Sequence, residues 1–265
     1  MATIVFVHAH PDDEASQTSG SMARAADEGH RVVVVYATNG DHGESATDLA
    51  AGETVADRRR SEALASAAVL GVARVEWLGY ADSGMNGWEQ NHHPAAFLQA
   101  DLDEAASRLA EVLAEEEADV VVGYDWHGGY GHPDHVRVHH LVHRAAGRVG
   151  HPLRVLESTF NRDVMRRLYE GALAAGEDAR DWNPDAPMDD GNPLGTPEEE
   201  IHLQVDVSPW LERRRASMEA HRSQATDIEA FLGMPEEVFA TLFGTEHYLE
   251  PARPTRLRRG WILDA

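Results

Sequence analysis

Two short runs of branched apolar residues, separated by a helix-like segment, constrain the fold of this chain more than any other feature. Thr3–His8 (TIVFVH) and Arg31–Thr38 (RVVVVYAT) are apolar without alternation, which predicts two buried parallel strands. Between them, Glu14–Gly29 places small apolar residues at helical spacing and ends at a glycine. A strand, a helix and a strand in this order predict a βαβ unit.

The same alternation continues and predicts an α/β fold, in which helices cover both faces of an open, mostly parallel sheet. The further elements are helices over Val55–Leu70, Pro94–Glu117 and Asp134–Val149, and strands over Val75–Leu78, Asp119–Gly123 and Leu153–Thr159. The C-terminal part is less regular, with a loop or mobile insertion over Asp181–Glu200, a strand over Ile201–Val207 and a helix over Pro209–Gln224. At 265 residues the chain suits a single domain, with a core of about residues 1–160 and an extension of about residues 161–265.

Composition excludes several classes of function. The formal net charge of -23 repels phosphate backbones and anionic lipids, so neither nucleic acid nor a membrane surface is expected as a partner. The sequence lacks a long apolar run and a basic leader segment, which predicts a soluble, cytoplasmic protein. With no cysteine and no lysine, sulfur-ligated metals, thiolate nucleophiles and Schiff-base lysines are excluded. The number of subunits is not fixed by the sequence, and a homo-oligomer stays open.

The first strand runs directly into the segment His10–Glu14 (HPDDE). A helix start accounts for Pro11, Asp13 and Glu14, because proline and acidic residues are favoured in the first turn. It does not account for His10, nor for two adjacent aspartates at the carboxyl end of a buried strand. Open α/β sheets place their ligand crevice at this edge.

A similar motif recurs after a later strand. Asp119–Gly123 is followed by a glycine-rich loop, Tyr124–Gly131, and then by His132–His135 (HPDH), which opens the next helix. Both motifs therefore lie at strand-to-helix turns on one edge of the sheet and face each other across the crevice. Two histidines and an aspartate that converge without cysteine predict a zinc site of the catalytic type.

The paired motifs HPDDE and HPDH resemble the signature of the LmbE/PIG-L zinc de-N-acetylases, which share a Rossmann-like fold. The resemblance is closest to the mycothiol branch, which contains the deacetylase that makes glucosaminyl-inositol and the mycothiol S-conjugate amidase. It extends to MARAADEGHRVVVV, ADRRRSEALASAAVLGV and LGYADSGMNG, and so covers about the first 160 residues. The paired motif is specific to the family and not to a substrate.

The resemblance implies a metal centre held by His10, Asp13 and His135. Zinc is the expected ion, and another divalent first-row metal such as Fe²⁺ also suits such ligands. Asp12 matches the family's general base, which is free of the metal and lies beside its water. These roles fit amide hydrolysis, because a bound zinc lowers the pKa of water to about 7 and a base must accept the proton.

Further residues match catalytic and sugar-binding positions of the family. His132 matches the residue that stabilises the oxyanion or protonates the leaving amine, which makes it the acid partner of the base, and Asp134 orients it. Tyr130 matches a mobile tyrosine that reaches the oxyanion. Arg59 and Asp82 match positions that contact the sugar, and a carboxylate is a suitable acceptor for hydroxyl groups.

These observations predict a zinc-dependent hydrolase that removes an acetyl group from the nitrogen of an amino sugar or a related thiol conjugate. One alternative is the cleavage of a mycothiol-type S-conjugate amide. Another is a sugar-binding or regulatory protein on the same fold, which is disfavoured because a binder needs neither Asp12 nor His132.

Some histidines are expected outside the site. His92, His93, His139 and His140 show no ligand pattern, which predicts positions at the surface or behind the ligands. Ala220–Gln224 (AHRSQ) resembles a helix of the conjugate-amidase branch that closes over the pocket.

Overall fold

Five parallel strands form the centre of the fold. In a computed structural model, which describes residues 1–44, 48–176, 183–251, 253–254 and 256–264, their order in the sheet is β3-β2-β1-β4-β5. The strands are β1 (Thr3–His8), β2 (Arg31–Thr38), β3 (Arg74–Tyr80), β4 (Val120–Tyr124) and β5 (Arg154–Thr159). The chain moves outward in opposite directions from β1, so the crevice lies at the carboxyl ends of β1 and β4.

Both faces of β1 and β2 are covered, which explains why their sequences do not alternate. On one face, Val5 and Val33 pack with apolar side chains of α4 (Leu102–Glu115) and α5 (Pro133–Ala146). The opposite face, which includes Phe6, packs with α2 (Ser19–Asp27) and α3 (Val55–Leu70). The predicted α/β class, with helices on both faces of a mostly parallel sheet, is confirmed.

Two of the predicted helices differ from those in the structure. The segment after β1 forms two helices, α1 (Asp13–Gln17) and α2, with a break at Thr18. The helix predicted over Pro94–Glu117 is wrong in its first part, because α4 begins only at Leu102. The Asp101 carboxylate accepts the N–H groups of residues 103 and 104 and so fixes the start of α4.

The C-terminal part adds three strands to the same sheet, which continues as β5-β7-β6-β8. Strand β7 is antiparallel to both β5 and β6, whereas β8 is parallel to β6. The elements of this part are α6 (Arg162–Ala174), β6 (Leu203–Asp206), α7 (Leu211–Ala220), α8 (Ala225–Leu232), α9 (Glu236–Phe243), β7 (Thr245–Leu249) and β8 (Arg258–Arg259). Helices α6, α8 and α9 and strands β7 and β8 were not predicted from the sequence.

The C-terminal part also fastens the first helices of the chain. The carboxylate of Glu246 in β7 accepts the backbone N–H groups of Gly20 and Ser21 at 2.9 and 3.1 Å, at the N-terminus of α2. Arg214 of α7 binds the same carboxylate and donates to the carbonyl oxygen of Ser16. The elements around the HPDDE motif are therefore held from the far end of the sequence.

The segment predicted as a loop over 181–200 is described from residue 183, and residues 181 and 182 lie outside the described part. It is irregular as expected, apart from a short 3-10 turn at Glu198–Glu200. The N–H of Gly195 donates to the carbonyl oxygen of Gly129 at 2.7 Å, so the segment packs on the glycine-rich loop. Among the described residues, no helix is long and apolar enough to cross a membrane.

Candidate active site

The three predicted metal ligands lie together at the junction of β1 and α5. Asp13 occupies the space between the two histidines, with Oδ2 3.4 Å from His10 Nδ1 and Oδ1 3.2 Å from His135 Nε2. The imidazole centroids of His10 and His135 are 5.3 Å apart. All three residues are buried.

The hydrogen bonds around Asp13 and His135 leave two acceptor atoms facing each other. Asp13 Oδ2 accepts the backbone N–H of His10 and the hydroxyl of Tyr124, at 2.8 and 2.9 Å. His135 Nδ1 donates to the carbonyl oxygen of Gly128 at 3.1 Å, so Nε2 of the neutral ring carries a lone pair and has no hydrogen-bond partner. Burial raises the pKa of Asp13, but the positive charge of His135 and His10 in their protonated forms outweighs burial and holds this pKa well below its usual range. This acceptor pair fits a bound cation.

The other side of His10 is held by two carboxylates. Its Nε2 lies 3.2 Å from Asp134 Oδ2 and 3.4 Å from Asp82 Oδ1, so Nε2 carries the proton and Nδ1 is directed toward Asp13. Burial lowers the pKa of His10, but Asp82 and the other carboxylates raise it well above its usual value. Asp134 also accepts the N–H and hydroxyl of Ser83. Ser83, which the sequence did not single out, thus fixes the carboxylate that orients His10.

His132 lies beside this cluster as a hydrogen-bond donor. The backbone N–H of Asp134 donates to His132 Nδ1 at 3.1 Å, which leaves the proton of the neutral ring on Nε2. Burial, with the nearby His10 and His135, lowers the pKa of His132 well below its usual value. The three imidazoles place one nitrogen each within 4.8 Å of one another. The Asp134 side chain contacts His10, and only its backbone orients His132.

Asp12 adopts a strained backbone conformation next to the ligands. Its φ of 110° is unusual for a residue with a side chain and costs about 1–3 kcal/mol. Glu14 Oε2 accepts the Asp12 N–H at 3.0 Å, and Arg59 Nη2 lies 3.0 Å from Asp12 Oδ2. Burial raises the pKa of Asp12 to about 6, while Arg59 opposes the rise. A carboxylate with this pKa is suited to general base chemistry near neutral pH.

The two predicted sugar contacts are buried behind these groups. Arg59 is 3 % exposed and donates to the carbonyl oxygens of Gly40 and Pro11. Asp82 is 5 % exposed and accepts the N–H of Gly84 at 2.8 Å. In the structure Arg59 therefore contacts the predicted base, and Asp82 contacts a predicted metal ligand.

The glycine-rich loop positions two side chains of the site. Gly128 has a φ of +67°, and a side chain there would overlap His135 Cβ, so the close approach that binds His135 needs glycine. The ring of Tyr130 lies edge-on to His135 at 4.9 Å and to His132 at 6.2 Å. Burial and the site carboxylates raise the pKa of Tyr130 well above its usual value, so its hydroxyl remains a donor.

A buried ion pair beneath Asp12 was missed by sequence reasoning. Glu14 Oε1 accepts from His221 Nε2 and from the hydroxyl of Ser66, both at 2.6 Å. Burial raises the pKa of Glu14, but His221 and the hydrogen bonds lower it to about 2. In segment 220–224, predicted to resemble a closing helix, Ala220 is the last residue of α7 and the residues after it form a turn, with His221 fully buried. Because this partner comes from a distant segment, no local pattern signals the pair.

Comparison with known proteins identifies the family of this chain. Residues 5–146 match the family model described as PIG-L, GlcNAc-PI de-N-acetylase. The chain belongs to the PIG-L family of de-N-acetylases. Family membership confirms the predicted class of enzyme, a hydrolase of an acetamide C–N bond.

Relatives of this PIG-L family member carry a consistent name. A protein of Acidothermus cellulolyticus is 36 % identical over 93 % of this chain and 88 % of its own length. A protein of Saccharomonospora viridis is 37 % identical over 84 % of this chain and 85 % of its own length. Both are named 1D-myo-inositol 2-acetamido-2-deoxy-alpha-D-glucopyranoside deacetylase.

Solved structures share the fold of this family member. The N,N'-diacetylchitobiose deacetylase of Pyrococcus horikoshii has a TM-score of 0.58 and 22 % identity, over 93 % of this chain and 82 % of that chain. A 4-carboxy-2-hydroxymuconate hydratase of Pseudomonas putida has a TM-score of 0.59 and 21 % identity, over 98 % and 99 %. Since the fold also serves a hydratase, the fold alone does not determine the reaction.

Proposed function

We propose that the protein is a metal-dependent de-N-acetylase of an N-acetylated amino sugar joined to a small polyol. The compound named for the relatives, an inositol 2-acetamido-2-deoxyglucopyranoside, is the proposed substrate. The observation that carries this proposal is the position of Asp13 between His10 and His135, with Asp12 held beside them. The acceptor atoms of this cluster suit a divalent cation, and Asp12 suits a base.

The proposed ligand atoms are His10 Nδ1, Asp13 Oδ1 and His135 Nε2, for Zn²⁺ or Fe²⁺. The bound cation supplies a Lewis acid that polarises the acetamide carbonyl and lowers the pKa of water. Asp134 and Gly128 orient the two imidazoles through the nitrogens that face away from Asp13. Such partners of ligating histidines hold the ring in the binding orientation.

In this proposal Asp12 transfers the proton, and His132 stabilises the negative charge on the carbonyl oxygen. As water attacks the carbonyl carbon, the Asp12 carboxylate accepts a proton from it, and the carbonyl electron pair moves to the oxygen. His132 Nε2–H and the hydroxyl of Tyr130 donate hydrogen bonds to this oxygen. The C–N bond then breaks as the amine nitrogen takes the proton from Asp12, which yields the free amine and acetic acid, which ionises to acetate.

The hydrogen bond on His132 Nδ1 supports one of its two predicted roles. A ring that accepts the Asp134 N–H carries a single proton, on Nε2, and loss of that proton would leave an imidazolate. We therefore assign His132 to the oxyanion and the protonation of the amine to Asp12. Asp82 and Arg59 remain proposed contacts of the sugar hydroxyls, in addition to their contacts with His10 and Asp12.

Comparison of two substrates tests this proposal. The wild type should release acetate from the N-acetylglucosaminyl inositol, and a chelator should abolish this activity until Zn²⁺ is added. Asp12→Asn should lower kcat by about 10²–10⁴-fold while the bound metal is retained. Undiminished turnover in Asp12→Asn would contradict the role of the carboxylate. Efficient cleavage of a bulky S-conjugate, without acetate release from the sugar, would favour the amidase alternative.

A further inference from the structure

A second group of metal-ligating side chains lies on α5, outside the proposed catalytic site. His139 and His143 are one helical turn apart, and Glu157 faces them from β5. His143 Nε2 is 2.6 Å and His139 Nδ1 is 3.5 Å from the same oxygen, Glu157 Oε1. The two imidazole centroids are 4.7 Å apart, and one ligand atom from each residue lies within 4.8 Å of the others.

The group is separate from the ligands of the catalytic site. His135, His139 and His143 follow one another at four-residue intervals along one face of α5. With a rise of 1.5 Å per residue, His139 and His143 lie about 6 and 12 Å along the helix axis from His135. The sequence predicts no ligation by His139, because the carboxylate that completes the group belongs to another element.

The buried carboxylate of Glu157 suits a bound cation. Its side chain is 6 % exposed, and a buried carboxylate needs a compensating charge. Within the part of the chain that the structure describes, its ion-pair partners are the imidazoles of His139 and His143. A divalent cation bound between these three side chains would place a further positive charge beside the carboxylate.

Each imidazole can offer one nitrogen to such an ion. His139 Nδ1 donates to the carbonyl oxygen of Tyr124 at 3.1 Å, so the lone pair of the neutral ring is on Nε2, which is the proposed ligand atom of His139. His143 Nε2 lies 2.6 Å from Glu157 Oε1 and would bind the ion after releasing its proton. The side chain of His143 is 38 % exposed, which opens the group to solvent and to water ligands. Two imidazoles and a carboxylate with open positions suit divalent first-row metals.

We propose that His139, His143 and Glu157 form a second binding site for a divalent first-row cation such as Zn²⁺. The ion would join α5 to β5 and so clamp the helix whose first turn carries His132 and His135. The site is independent of the proposed catalytic metal, since it shares no ligand with it.

Metal stoichiometry tests this proposal. Wild type, His143→Ala and His140→Ala are dialysed against the same free Zn²⁺ concentrations, and bound zinc is measured by mass spectrometry. His140 is the matched control, since it is an exposed histidine of the same helix that does not belong to the group. His143→Ala should lose one equivalent relative to wild type, whereas His140→Ala should lose none.

A second readout separates this site from the catalytic one. Asp13→Asn should lose a different equivalent and keep the one that His143→Ala lacks. Zn²⁺ should raise the melting temperature of Asp13→Asn more than that of the double variant Asp13→Asn/His143→Ala, and Glu157→Gln should repeat the loss seen in His143→Ala. Equal zinc content in wild type, His143→Ala and Glu157→Gln would overturn the proposal.

Discussion

The guanidinium of Arg59 contacts both the carboxylate of Asp12 and the backbone of the preceding residue, Pro11. Nη2 of its guanidinium lies 3.0 Å from Asp12 Oδ2 and also donates to the carbonyl oxygen of Pro11. The buried guanidinium of Arg59 therefore stabilises both the strained backbone conformation of Asp12 and the ionised form of its carboxylate.

Loss of the Arg59 guanidinium is expected to shift the pH dependence of the reaction. Burial raises the pKa of Asp12 to about 6 and Arg59 opposes the rise, so Arg59→Met should raise this pKa further. Because the proposed role of Asp12 requires an ionised carboxylate, activity should fall as the pH drops through its pKa, and the acid limb of kcat/KM should move to higher pH. Arg60→Met is the control, since Arg60 packs over Trp77. An unmoved acid limb in Arg59→Met would refute this assignment.

The ion pair beneath Asp12 should matter for stability and for turnover. His221→Leu leaves the Glu14 carboxylate buried without its charged partner, which should lower the free energy of unfolding by about 3–5 kcal/mol. His221→Gln keeps an N–H donor and should lose less. Because Glu14 also holds the Asp12 N–H, kcat should fall in the same order. Urea unfolding and steady-state kinetics measure both effects; equal values for the two variants would argue against the pair.

Gly128 offers a test of the orientation of His135. Gly128→Ala places a Cβ against His135 at a φ of +67°, which should displace the carbonyl oxygen that binds Nδ1. Metal affinity should fall about 10–100-fold, as for other partners of ligating histidines. Gly150→Ala is the control, because a Cβ at Gly150 meets no atom within 4 Å. Metal titration decides the matter, and equal affinity in both variants would show that the carbonyl oxygen is not needed.

A buried histidine in β7 should make folding sensitive to acid. Burial lowers the pKa of His247 from 6.5 to about 4, so below pH 6.5 the unfolded chain binds a proton that the folded protein does not. The free energy of unfolding should therefore decrease between pH 6.5 and 4, by up to about 3 kcal/mol from this residue. His247→Gln should show a smaller decrease over this range in urea titrations. A slope identical to that of wild type would rule out this contribution.

The sequence predicted those parts of the site that lie on contiguous motifs. His10, Asp13 and His135 directly follow or begin regular elements whose order is visible in the apolar pattern. Parallel strands end at the same edge of a sheet, so the sequence predicts that these three residues lie close together. The predicted start of α3 at Val55 is also confirmed, and the structure shows a capping box between Thr54 and Asp57 there.

Contacts between distant segments were not predictable in this way. Glu14 and His221 are 207 positions apart, and neither residue carries a local signal for the other. The antiparallel strand β7 depends on a chain reversal after α9 that no turn motif announces. Ser83 binds Asp134 of α5, and Glu157 binds two histidines of the same helix, each from another part of the chain. A single sequence does not indicate such pairings.

The anchoring of α2 by Glu246 has a consequence for how the enzyme matures on the ribosome. Helix α2 is synthesised early. Glu246, whose carboxylate accepts two backbone N–H groups of α2, is synthesised only when most of the chain has been made. Translation must therefore run almost to its end before the turn that bears Asp12 gains its lasting support. A nascent chain stalled before β7 would contain every proposed zinc ligand but would lack Glu246, which holds the N-terminus of α2 next to the HPDDE motif.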